Sequence, residues 1–436
     1  MAQSRTELKL QMMCEAEKLI DRILAEKKPT SEIKLGDIER MAVEAGKRFQ
    51  EMVAETLVKD SQGDTSVIPK CPGCGEEMAM KGYRKRRVVT EAGEVELERA
   101  YYYCAKCRRG FFPLDERWGL TRSIYSPERA KQIVWLSGLL PYEQAEEVFE
   151  RIGHCRIPAT SIWRQSQEYG ERLKTHVEQS QEVVRVERTV LPPVGCDHRR
   201  RKGISMDGGK LHLRGEGWKE FKVGTVFDIE QRPGRDAVTD EVTDQARGVN
   251  IDYHAVIGSA EALGPGLWAL AVRRAVPSAA DSVVVADGAE WIWKLADNYF
   301  PDSVQIVDWF HACEHLNGAA IALYPHDVRA AERWFKRRRE NLFKGEVHVI
   351  TSWLENSGLA DKAGYFHKHK RRMRYQEFRE EGYPIGSGTV ESAIKQFKAR
   401  LTGPGMRWSR PNAERMLIIR TAVLNHTFDQ LWQTVT

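Results

Sequence analysis

No apolar run in this chain of 436 residues approaches the length of a membrane span, which excludes an ordinary transmembrane helix. The first residues, Met1–Leu19, lack the apolar stretch of a secretory signal, so a cytoplasmic location is expected. Charge of one sign is not in excess: 67 Lys and Arg against 62 Asp and Glu leave a net +5, too mild by itself to imply a nucleic-acid partner. Cysteine is sparse, at 8, and a chain this long without secretory features is not a disulfide scaffold. What remains is a soluble class of protein with 42% hydrophobic residues, enough for two or three domains and at least one substantial core.

The charge is unevenly spread. Arg84–Arg87, Arg199–Lys202 and Lys336–Arg339 are unbroken basic runs, and His367–Arg374 holds five Lys or Arg. One such run ordinarily marks a solvated face, but four of them favour a polyanionic partner. The cysteines are also unevenly spread. Cys71 and Cys74, then Cys104 and Cys107, form C-x2-C pairs separated by 29 residues (75–103). Each pair sets two thiolates on one turn, and two turns complete a tetrahedral zinc site. Alternating patterns over Tyr83–Thr90 and Glu94–Tyr103, with a turn at Glu91–Gly93, make residues 65–115 a zinc ribbon, a hairpin dependent on its metal for folding. This Zn2+ is structural. Arg84, Lys85, Arg86, Arg87, Lys106, Arg108 and Arg109 on its surface suit DNA phosphate contact. Cys14, Cys155, Cys196 and Cys313 have no partner at ligand spacing.

Residues 1–62 read as a helical pair broken at Lys27–Thr30. Residues 120–178 read as helices over Pro127–Leu136, Tyr142–Ile152 and Ala159–Leu173, the last two spaced as a helix-turn-helix with Arg164, Gln165 and Gln167 exposed toward DNA. A linker is expected over Glu178–Arg188 and Leu191–Val194. The pattern then changes to strands at Gly203–Asp207, Glu220–Asp228 and Asp252–Ile257, a helix at Leu267–Ala275, a strand at Ser282–Ala286, a helix at Glu290–Phe300 and a strand at Ser303–Asp308. This order suits an α/β, RNase H-like catalytic core spanning 179–311 and resuming at 384–436, interrupted by an α-helical insertion at 312–383. In that architecture the first and fourth strands are neighbours, so Asp207 and Asp287 approach each other. A third carboxylate, Glu391, then enters on a helix starting near Thr389, with Lys395 and Lys398 at i+4 and i+7 on its face. Of Trp291 and Trp293, two apart on one helix, at least one should be buried; Trp408 stacks either on a base or on the sheet.

The segments SMDGG, ADGAEWIW, DWFHACEHL, GSGTVESA and GMRWS resemble DDE-type transposases of bacterial insertion sequences, the ISKra family in particular, and more distantly the Mutator-type transposases. The resemblance covers about 200–425 and departs from the family in the helix after Glu391, which reads SAIKQFKARL. It implies a catalytic triad of Asp207, Asp287 and Glu391, with Asp308 and His311 supporting it as a D-x2-H motif. It further implies active-site Mg2+ or Mn2+, double-stranded DNA as partner (terminal inverted repeats and target), a homodimer or higher synaptic assembly, and a nucleoid-associated location. Two Mg2+ ions about 4 Å apart suit such a carboxylate set, Asp207 bridging both, Asp287 holding one and Glu391 the other. Two other readings stand beside cleavage and strand transfer: a transposase-derived DNA-binding regulator without catalysis, and a metal-dependent nuclease.

Overall fold

A computed structural model describes residues 4–26, 29, 31–61, 68–120, 123–186, 200–235 and 242–435. The expected segment Leu191–Val194, together with Cys196 and Arg199, lies outside the described residues. Two compact units divide the chain, Met1–Val134 and Trp135–Val435. No helix among the described residues is long and apolar enough to cross a membrane.

In the first unit, helices Arg5–Glu26 and Leu35–Ser61 stand either side of the expected break. Strands β1 (Ala79–Thr90) and β2 (Gly93–Cys104) form an antiparallel hairpin, and a short β3 (Arg109–Phe111), not anticipated from the sequence, adds to β2. The turn closes through Gly93 at φ +115°, a conformation that costs glycine little. One face of the hairpin buries Val88, Val95 and Leu97 against Ala54 and Val58 of helix Leu35–Ser61. On the exposed side the basic run of β1 meets the Glu alternation of β2. Lys85 pairs with Glu96 at 2.6 Å and Arg87 with Glu94, whereas Arg86, on the face of Val88, is largely buried against Asp115 at 2.9 Å.

The second unit is mixed α/β. Its sheet contains β4 (Lys202–Leu213), β5 (Gly217–Arg235), β6 (Val242–Ile257), β7 (Ser282–Ala286) and β8 (Val304–Val307), in the spatial order β6-β5-β4-β7-β8. The first three strands form an antiparallel meander, and β7 and β8 add parallel to β4. The meander strands run well beyond the expected segments, because pairing of β4 with β5 continues through Leu213↔Gly217. Ile204, Met206, Val283–Ala286, Ile306 and Val307 are buried, as strands covered on both faces must be.

The helical stretch expected over 312–383 begins three residues earlier and ends three earlier, with helices Trp309–Leu323, Val328–Phe343, Val347–Asn356, Ala360–His369 and Tyr375–Glu380. They have no core of their own. One apolar cluster runs from Ile204 and Val284 in the sheet through Trp309 and Leu316 to Trp334, Phe366 and Phe378. Trp309 is the hinge of that continuity, packed edge-on against Tyr375 at 4.9 Å and Phe343 at 5.7 Å.

The expected helix-turn-helix region differs most from the structure. Helix Ala159–Val186 is 28 residues long and, with helix Tyr142–Arg151, belongs to the sheet-bearing unit. It packs on helix Arg410–Leu424: Arg415 reaches Glu171 at 2.6 Å and Gln167 at 3.1 Å, and Lys174 reaches Glu414 at 2.6 Å. Gln165 is only 4% exposed, so it faces the protein interior and not DNA, whereas Arg164 is exposed. The local period identified a two-sided helix but not the element covering one side.

Candidate metal and catalytic site

Register brings the strand-end carboxylates together. Lys202 lies opposite Ser282 and Ile204 opposite Val284, an offset of 80 residues; Val283 lies opposite Val304, an offset of 21. This register leads β7 and β8 out of the sheet side by side, so that Asp287 and Asp308 directly follow the two strand ends, next to the part of β4 that carries Asp207. Asp207 is not at the end of its strand, as the sequence suggested: β4 continues, paired to Val223 of β5. The last β4–β7 pair is Ile204↔Val284 and β7 ends at Ala286, so one flank of β4 is open from there. Such an opening at the carboxyl ends of parallel strands is where α/β sheets hold ligands.

Asp308 acts as a clamp. It is fully buried, and its Oδ1 accepts the His311 amide at 2.8 Å, capping helix Trp309–Leu323. Its Oδ2 accepts the amide of Ser387 in the loop before helix Gly388–Leu401. Beside it, the Asp308 amide donates to Ala286 O at 2.7 Å and the Trp309 amide to Ile385 O at 2.8 Å. The strand end, the helix start and the Glu391 loop are thereby fastened at one point. The Ser387 hydroxyl faces Glu391 Oε1 at 3.4 Å. As a result, ligand atoms of Asp308, His311 and Glu391 all lie within 4.8 Å of one another, a group able to hold a metal ion.

Asp207 and Asp287 lie outside that tight group but feel its charges. The Asp207 carboxyl is raised above its ordinary value, first by burial and then by the Asp287 charge, against the pull of the Gly208 amide, His311 and Lys398. A carboxylate destabilised by a second carboxylate is one that a cation would relieve. Lys398 thus reaches the site electrostatically, as its face of the helix required; Lys395 on the same helix is exposed.

Two aromatic residues that sequence reasoning missed close the far side. Tyr365 stacks on His315 with centroids 3.7 Å apart, and its buried hydroxyl has no hydrogen-bond partner among the described residues. Burial first, then the charges of Asp287 and Asp308, raise its hydroxyl well above the usual tyrosine range. A Cβ at position 288 would meet Tyr365 at 3.2 Å, and the backbone there is at φ +100°, so Gly288 is required for both reasons. The available sequence signal for His315 was its i+4 spacing from His311 on one helix face; Tyr365 lay 54 residues further on without any.

The second metal-capable group is the four cysteines, whose sulphurs Cys71, Cys74, Cys104 and Cys107 also lie within 4.8 Å of one another. Cys74 and Cys104 Sγ are 3.6 Å apart, and the amides of Gly73 and Cys107 donate to Cys71 and Cys104 Sγ at 3.4 Å each. The Gly73 amide leads in holding the Cys71 thiol down to about 6. Soft thiolates at this spacing select Zn2+, whereas the carboxylate group suits Mg2+ or Mn2+. The basic run Arg84–Arg87 is mostly committed to acidic neighbours, with Arg84 lying over the Tyr101 ring at 5.8 Å. The pairs of Lys85 and Arg87 are exposed and weak, so phosphate can still compete for these two cations, whereas Arg86 is largely buried against Asp115. Trp293 is buried and Trp291 half-buried, and Trp408 packs inside, its Nε1 donating to Leu401 O at 2.8 Å. Compared with protein-family models and with curated proteins, the chain matches none.

Proposed function

We propose that this chain is a DNA transposase of the DDE type, with an RNase H-like core carrying a helical insertion, acting on double-stranded DNA as a homodimer or larger assembly. The observation that carries this reading is the grouping of Asp308, His311 and Glu391 by a buried clamp just past the end of β8, beside Asp207 and Asp287, which feel each other's charge. The strand order, with the first strand central and the fourth beside it, supports the same core. Carboxylates at this density near a lysine suit phosphodiester chemistry better than acyl or glycosyl transfer, because they invite divalent cations while Lys398 attracts phosphate.

Asp207, Asp287 and Glu391 would hold Mg2+ or Mn2+. When bound, these ions supply activation of the attacking hydroxyl and charge neutralisation at the leaving 3′ oxygen. Asp308, whose oxygens are occupied by backbone amides, positions the Glu391 loop and the His311 turn. His311, with Nδ1 3.3 Å from Glu314, orients toward the carboxylates as a ligand or hydrogen-bond donor. Lys398 stabilises ionised Asp207 and draws the phosphate in. The four cysteines would hold structural Zn2+ in the hairpin.

The test is incubation with Mg2+ and labelled DNA bearing the terminal repeats that flank the coding region. Nicking followed by joining is expected, and Asp207→Asn should remove both products while binding persists. Undiminished reaction in that variant would sink the triad. Binding without nicking in either Mg2+ or Mn2+ would indicate a regulator, and nicking without joining a nuclease.

A further inference from the structure

A concavity of about 600 Å³ lies on the edge strand β8, floored by Gln305 and Phe378 and rimmed by Lys368, Lys370, Arg371, Arg372 and Arg374. No carboxylate lines it. The acids that reach the lining come from outside it: Asp297 accepts from Gln305 Nε2 at 2.7 Å and adds its charge to Arg372, and Glu355 meets His367 at 2.6 Å. Glu290 meets Lys368 at 3.3 Å but is shared with Lys294 at 2.9 Å, and Glu377 meets Arg374 at 2.5 Å. Arg372 is held in place by Gln305 Oε1 at 2.8 Å and by the Trp293 ring at 4.4 Å. Lys370 and Arg371 are exposed and have no acidic partner among the described residues.

Helix Ala360–His369 runs on into a 3-10 turn over Lys370–Arg372, and all three of those cations line the concavity. Like charges gathered this closely repel, and an anion with several charged oxygens offsets that repulsion. Three planar guanidinium groups (Arg371, Arg372 and Arg374) beside two lysines match phosphate oxygens. The same helix carries Tyr365, whose hydroxyl senses Asp287 and Asp308, so one continuous helix serves both the concavity and the carboxylate group.

We propose that this concavity is a second phosphate site, which holds backbone phosphates of a DNA duplex away from the reacting one. The choice of DNA among polyphosphate anions rests on the transposase reading; the phosphate chemistry does not. The experiment is fluorescence anisotropy of the full chain with a labelled duplex across a salt series, without divalent metal, so that catalysis plays no part. Lys370→Glu with Arg371→Glu should weaken binding roughly tenfold or more and flatten the log-affinity against log-salt slope by about 2, the loss of two phosphate contacts. The neutral pair Lys370→Gln with Arg371→Gln should flatten the slope equally with a smaller loss of affinity, and serves if the reversed pair fails to fold. Inorganic polyphosphate serves as competitor, and should displace the duplex from the parent chain. Unchanged affinity and slope in both double variants would overturn the phosphate site. Polyphosphate binding that the variants lose, with duplex binding that they keep, would overturn the assignment to DNA.

Discussion

The cysteine hairpin and the carboxylate corner of the sheet are two metal-capable groups built on opposite plans. The hairpin draws its ligands from two short turns, and the core around it is small: Cys71, Met78, Ala100, Tyr102 and Cys104. Two of those five buried residues are themselves ligands, so metal and fold are nearly one object. The carboxylate corner gathers residues 207, 287, 308 and 391 onto a cluster of apolar side chains that is complete without them. The difference teaches where a metal stabilises a fold and where a fold presents a metal site.

Removing a hairpin ligand should have the largest effect. Cys104→Ser would disrupt a site that, loaded with zinc, would supply on the order of 10 kcal/mol of metal-linked folding free energy. Hydrogen exchange over residues 68–111 should lose its protection while the sheet keeps its own, and retained protection in the hairpin would collapse the contrast. Next in size, Trp309→Ala empties a fully buried site joining sheet to helices, at a cost of about 3–5 kcal/mol. Denaturant unfolding should register this in the sheet-bearing unit alone.

Asp308→Ala should cost about 2–3 kcal/mol, the sum of a lost helix cap and a charge-assisted bond to the Ser387 amide. It should also loosen the Glu391 loop, seen as faster exchange of the Ser387 amide; slow exchange there would remove Asp308 from its clamping role. Asp207→Asn should act in the opposite direction and raise the melting temperature of the metal-free protein. The sign follows from the raised Asp207 carboxyl. Its ionisation penalty is absent below the ordinary value of 3.8, grows as pH rises to the raised one, and is fully present above it. The gain of the Asn variant should therefore appear at neutral pH and fade in acid; a gain independent of pH would have another cause. Smallest of all, Lys85→Ala removes an exposed pair with Glu96 and should leave the melting temperature within scatter.

Several elements were legible because their causes are local. The C-x2-C pairs announce their site, since four thiolates on two turns need little else from the chain. Short apolar runs ending in Asp207 and Asp287 gave the strand neighbours, and the helical period of 309–380 was clear. Strand ends were less legible, since β4 continues past Asp207 only because β5 pairs with it that far. Gln165 was misread for a similar reason: its helix shows two faces, but the cover over one of them comes from residues 410–424.

By itself, then, the sequence determined the thiolate site, the alternation of elements and the carboxylates worth watching. These depend on residue type and on spacing within one element. The tertiary structure decided that Asp308 spends its oxygens on two backbone amides, that Tyr365 and His315 stack beside the carboxylates, and that the basic run 367–374 folds against the edge of β8. Each of these is a meeting between elements distant in the chain, and periodicity, which reports the faces an element has, carries no information on what will cover them.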